Sequence, residues 1–76
     1  MSAIALTIAG SDPTGAAGIA ADLKTFHQAG AVGQAVVTLV SVQSVLGVER
    51  VVAVDAALVG AQIAAVVAGG RPGAVK

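Results

Sequence analysis

The sequence predicts an α/β fold with a mostly parallel sheet, and three observations carry that prediction. Short runs rich in Val, Ile and Thr alternate with stretches whose apolar residues recur at helical spacing. The run over 34–44, QAVVTLVSVQS, is almost wholly apolar in its middle, as strands buried on both faces are. Near the N-terminus a strand-like run passes through a turn of small residues into a helix-like pattern, which is how α/β proteins build small-molecule sites.

The elements follow in order. Residues 4–9, with Ile4, Leu6 and Ile8, read as a first strand. Asp12, Pro13, Thr14 and Gly15 have the residue order of a type I turn, with Asp first, Pro second and Gly fourth. Residues 16–29 read as a helix. At about 100° per residue Ile19, Leu23, Phe26 and Gly30 share one stripe, while Lys24, Thr25 and Gln28 lie on the far side. Gly30 closes this helix. A second strand is expected over 34–44 and a third extended segment over 48–54, where Glu49 and Arg50 suggest a sheet edge or an exposed bend. Asp55 suits the N-cap of a second helix over 56–68, with Val59, Ile63, Val66 and Val67 as its apolar stripe. Gly69, Gly70, Arg71 and Pro72 end it, and 73–76 read as the start of a further strand. With strands alternating with helices, crossover connections and parallel pairing are expected. No linker divides the chain, so residues 1–76 read as part of one domain, and an edge left open there favours self-association into a homo-oligomer.

Composition narrows the function classes. The chain has 76 residues, of which 57% are hydrophobic but only one, Phe26, is aromatic. Its core is therefore assembled from many small Ala and Val contacts, each burying little area. The formal net charge is zero, which supplies no attraction to nucleic acid or to an anionic membrane. There is no cysteine, hence no disulfide framework and no thiolate metal site, which fits a cytoplasmic protein. The mean hydropathy of +0.94 raises the question of a membrane span. The interval between Lys24 and Glu49, though uncharged apart from His27, is broken by Gln28, Gln34, Gln43 and three glycines, and buried parallel strands explain it better.

Gly10 and Gly15 have the spacing of a phosphate-binding P-loop, but Ala16 and Ala17 stand where Lys and Ser or Thr are required. The spacing of a dinucleotide fingerprint is absent as well. What remains is a small-residue turn at a helix N-terminus, read either as a plain connection or as a place where backbone N–H groups approach a ligand. Asp22 lies about 40° from Phe26 on the helix wheel, at the border of the buried stripe, where a carboxylate needs a partner. That partner is either a local backbone or solvent contact or a polar ligand group. Gln43 closes an apolar strand. Its planar amide, with one acceptor and two donors, matches the edge of an aminopyrimidine, although a Gln can also simply mark where a strand meets water. His27 has no companion at metal-ligand spacing. No nucleophile–base pair and no paired carboxylates stand out.

The stretch ALTIAGSDPTGAAGIAADLKTF over 5–26 resembles the opening of the hydroxymethylpyrimidine/phosphomethylpyrimidine kinases of thiamine biosynthesis, which reads AGSDPSGGAGIQADLKTF after a strand. The likeness runs on through Gly30, Ala31, Val32 and Gly33, through TLVSVQSVLGV, similar to a family stretch ending in TAQNTxGV, through VGAQIAAVV, and into the closing AVK. It implies part of a ribokinase-like α/β/α sandwich, taken as the N-terminal portion of one kinase domain. It implies phosphoryl transfer from ATP with Mg2+ to 4-amino-5-hydroxymethyl-2-methylpyrimidine and then to its monophosphate. It places Gln43 at the family's pyrimidine-binding Gln, Asp22 at an Asp near the substrate, and Gly10 and Ala17 in the lining of the same pocket. Three positions depart from the family pattern: Ala16 replaces a Gly, Ala20 a Gln, and Ser44 the Asn beside the recognition Gln. The family's anion hole and main ATP and metal residues lie outside the stretch matched, so no catalytic residue is assigned here. A pyridoxal kinase on the same scaffold and a non-enzymatic α/β fragment are the alternative readings. Because transfer depends on positioning and charge stabilisation of the moving group, the 76 residues alone are expected to be inactive. Incubating the purified chain with ATP and hydroxymethylpyrimidine tests this, and a phosphorylated product would refute it.

Overall fold

In the computed structural model, which describes residues 3–76, four strands and two helices follow one another along the chain. They are β1 (Ile4–Ser11), α1 (Gly18–Gln28), β2 (Val32–Ser44), β3 (Gly47–Ala53), α2 (Ala56–Gly69) and β4 (Ala74–Val75). The strands form one sheet in the order β3-β2-β1-β4. β1 pairs in parallel with β2 and β4, as expected, whereas β2 and β3 pair antiparallel. The reason is the connection: only Val45 and Leu46 separate β2 from β3, too few for a parallel crossover and the usual length for a hairpin.

β1 lies inside the sheet, and its middle is the best-buried part of the molecule. Leu6 is 1% exposed and Thr7 is fully buried, as is Val36 of β2. Consecutive strand residues point to opposite faces, so burial of both Leu6 and Thr7 means that β1 is covered on both sides at this level. β3 is the opposite case: it is an edge strand with every residue exposed, as Glu49 and Arg50 foreshadow.

The helices match their sequence signals with two corrections. α1 begins at Gly18 rather than at 16, because Ala17 is extended and Gly18 has a φ of +65°. It ends as expected: Gly30, at a φ of +81°, donates its N–H to the His27 carbonyl. In α2 the Asp55 carboxylate accepts from the Leu58 N–H at 3.0 Å, the expected N-cap. Its inward stripe is Val59, Gln62, Ile63 and Val66, and the expected Val67 is instead exposed.

Gln62 turns inward because β2 has backbone groups to satisfy. β3 pairs with β2 only from Leu39 onward. Next to that end, Gln62 Oε1 accepts from the Val37 N–H and Gln62 Nε2 donates to the Val37 carbonyl, both at 3.0 Å. The amide thus stands in for a neighbouring strand where the real one has ended.

With so few large side chains fully buried, each one matters. Leu6→Ala is expected to cost roughly 2–5 kcal/mol by urea unfolding. Leu46→Ala, at a hairpin residue that is 95% exposed, should stay within about 0.5 kcal/mol of the parent.

Candidate functional site

The end of β1, the start of α1 and the β2–β3 hairpin line an open, cleft-like cavity of about 350 Å3. That is near the lower end of the ~300–1,000 Å3 usual for small-molecule sites. Its walls include Gly10, Ala17, Leu39, Ser41 and Gln43. Of the four residues singled out in the sequence, the structure brings Gly10, Ala17 and Gln43 together here. Asp22 is not among the lining residues.

Two β-bulges build this space. In the β1–β2 ladder Ala9 faces Val37 and Gly10 faces Leu39, so Thr38 is an extra residue. The shift lays the Leu39 side chain over Gly10, where a Cβ would come within 2.8 Å of it. In the β2–β3 ladder Val42 faces Arg50 and Gln43 faces Val48, so Glu49 is extra. Val48 and Val51 are three residues apart and would point to opposite faces of a regular strand. The extra residue resets the alternation, and both valines join the cavity wall.

The loop from β1 to α1 is folded by Asp12. The Gly15 N–H bonds to the Asp12 carbonyl at 3.0 Å, closing the expected turn. The Asp12 carboxylate accepts from the Thr14 N–H at 2.8 Å, the Thr14 hydroxyl at 2.7 Å and the Ala17 N–H at 3.0 Å. The bonds from Thr14, hydroxyl first, and then that from Ala17 hold the Asp12 carboxyl below its ordinary value of 3.8. Gly18 closes the loop onto the strand, and a Cβ there would lie 2.3 Å from the Gly10 carbonyl oxygen. Positive φ and backbone contact together restrict this position to glycine.

Asp22 is the one buried residue of α1, 7% exposed. Its Oδ2 accepts from the Thr7 hydroxyl at 2.6 Å and its Oδ1 from Lys76 Nζ at 2.5 Å. The carboxylate thus joins β1, α1 and the residue after β4. The Lys76 ammonium first, and the Thr7 hydroxyl second, hold the Asp22 carboxyl below 3.8 against the opposing effect of burial.

Besides the apolar wall residues Leu39, Val48 and Val51, Ser41 is a polar site residue that the sequence does not single out. It is 8% exposed, its hydroxyl donates to the Ser11 carbonyl at 2.8 Å, and it accepts from Gln43 Nε2 at 2.6 Å. A Ser within a Val-rich strand carries no local signal, and its partner lies 30 residues away. Ser44, one of the departures from the family pattern, accepts from the Leu46 N–H at 3.1 Å and serves the hairpin turn. Ala16 and Ala20 are exposed.

The lining does not fit a nucleotide triphosphate with its metal. It includes no Lys or Arg, and its single carboxylate, Asp12, is already occupied by Thr14 and Ala17. Among the described residues no cluster of three His, Cys, Asp or Glu could hold a metal ion. Among the described residues no helix is long and apolar enough to cross a membrane.

The family model described as phosphomethylpyrimidine kinase matches residues 12–76. A hydroxymethylpyrimidine/phosphomethylpyrimidine kinase of Staphylococcus aureus is 58% identical over 48 residues, which cover 63% of this chain and 17% of that protein. The crystal structure of a phosphomethylpyrimidine kinase from Clostridium difficile superposes with a TM-score of 0.92 at 44% identity, covering 96% of this chain and 32% of that one. The pyridoxal kinase of Staphylococcus aureus in complex with AMP-PCP and pyridoxal superposes with a TM-score of 0.86 at 29% identity, covering 99% and 28%. The matched segments thus span between about a sixth and a third of the length of these proteins.

The lowered carboxyls make stability depend on pH. Because Asp12 and Asp22 bind protons less readily when folded, their contribution is complete above the unfolded value of 3.8 and is lost as pH falls through the lowered folded values. Thermal melts from about pH 6 down to about pH 2 should show midpoints that drop below about pH 4. In Asp22→Asn the drop should be shallower.

Proposed function

The chain belongs to the phosphomethylpyrimidine kinase family, and from that premise we propose that it forms the pyrimidine-side wall of a kinase acting in thiamine biosynthesis. The reaction is transfer of phosphate from ATP to the hydroxymethyl group of 4-amino-5-hydroxymethyl-2-methylpyrimidine and then to its monophosphate. The observation that carries this reading is the meeting of Gly10, Ala17 and the Gln43 amide around one cavity of suitable size.

Each residue has a part in holding the acceptor substrate. The Gln43 amide pairs with the donor–acceptor edge of the aminopyrimidine. Leu39, Val48 and Val51 give the ring apolar walls. Gly10 lets the Leu39 side chain settle against the end of β1 as part of those walls, and the small Ala17 leaves room for the ring beside the loop. Asp22 acts one step removed: its bonds to Thr7 and Lys76 hold β1, α1 and the end of β4 in register, which keeps Gly10 and Ala17 opposite Gln43. The AMP-PCP complex of the similar pyridoxal kinase supports ATP as phosphoryl donor. The groups that bind its triphosphate and metal are not among the residues lining this cavity. We place the activity in the cytoplasm, where ATP is supplied.

The test is ligand binding followed by NMR chemical shifts. Hydroxymethylpyrimidine should perturb Gly10, Ala17 and Gln43, and Gln43→Ala should weaken binding roughly tenfold to a hundredfold, the usual value of a paired amide edge. Tighter binding of pyridoxal than of the pyrimidine would sink the proposal in favour of a pyridoxal site.

A further inference from the structure

Gln43 has a carboxamide whose two ends can exchange by a half-turn, so alone it could offer an aminopyrimidine or its oxo counterpart an equally good edge. The structure removes that freedom. The Ser11 carbonyl has no proton to give, so the hydroxyl proton of Ser41, 2.8 Å away, is committed to it. Ser41 Oγ then faces Gln43 with lone pairs only. The Gln43 atom lying 2.6 Å from it must be the donor, Nε2, since Oε1 there would set lone pairs against lone pairs. One Nε2 proton goes to Ser41, and Oε1 and the second proton remain for a ligand.

We infer that Ser41 is a positioning residue that locks the Gln43 carboxamide in one orientation and thereby makes the cavity select a 4-amino over a 4-oxo pyrimidine. The inference rests on the proposed reading of the cavity as an aminopyrimidine site. An amino group beside an unprotonated ring nitrogen meets the locked amide acceptor to donor and donor to acceptor. An oxo group beside a ring N–H meets it with both pairs reversed. The polarity is set from β1, through a backbone carbonyl that no side-chain substitution can invert. Ser41 and Gln43 are two residues apart on β2 and so share a face, which lets the hydroxyl reach the amide without a change in the strand.

The inference is tested on the whole chain in two steps. In the unliganded protein, one Gln43 Nε2 proton should exchange with solvent about tenfold more slowly than those of the exposed Gln28. Ser41→Ala should abolish that protection and Ser41→Thr should keep it. Dissociation constants are then measured for 4-amino-5-hydroxymethyl-2-methylpyrimidine and its 4-oxo counterpart. Ser41→Ala should lower the amino-to-oxo preference by roughly tenfold or more, and Ser41→Thr should restore it. A structural role alone would weaken both ligands together and leave their ratio unchanged. The inference is overturned if Gln43 exchanges as freely as Gln28 in the unmutated chain, or if Ser41→Ala retains the parent ratio. If Gln43 is protected yet neither pyrimidine binds, the locked amide stands and the aminopyrimidine reading of the cavity falls.

Discussion

The cavity depends on how closely the start of α1 approaches the end of β1. Gly18 rests against the Gly10 carbonyl with no room for a Cβ between them. That contact sets where the helix axis begins. The intervening residues must then double back, and Asp12 makes this possible by accepting from Thr14 and Ala17 within the loop. One helical turn beyond Gly18, Asp22 comes level with Thr7 in the middle of β1, and the carboxylate is bound there from two sides. Backbone proximity thus comes first, and the polar contacts that stabilise it follow from the helix repeat.

The opposite wall obeys a different rule. A strand offers its side chains alternately to two faces, and a site formed between strands must usually accept that rhythm. Here two extra residues, Thr38 and Glu49, interrupt it where the cavity forms. One brings Leu39 over Gly10 and the other brings Val48 and Val51 to a common face. The valines gain a common, cavity-facing side at the edge of the sheet, where pairing on one side only makes such an irregularity easiest to accommodate.

Much of this molecule is legible in its sequence where the cause is local. The type I turn at Asp12, the N-cap at Asp55 and the helix end at Gly30 each depend on a few adjacent residues, and each is found where expected. Apolar runs place the first three strands to within two residues. The antiparallel β3 was within reach too, since its short connection to β2 outweighs the general pattern of alternating elements. Long-range causes were not readable. Asp22 could be seen to need a partner, but Lys76, 54 positions on, could not be named. Gln62 looks like a polar interruption of an apolar helix until β2 is present beside it. Gln43 was found because an amide is unusual at the end of an apolar strand, and Ser41 escaped because a serine there is not.

Gln62 also says something about which positions can vary. It recognises Val37 only through that residue's N–H and carbonyl, groups that every amino acid but proline presents alike. Position 37 can therefore drift among strand-forming residues without disturbing the bond between α2 and β2. Position 62 has no such latitude: glutamate lacks the donor and asparagine is one methylene shorter. The element that looks most interchangeable, a helix of Ala and Val, is thus anchored by the side chain least open to replacement.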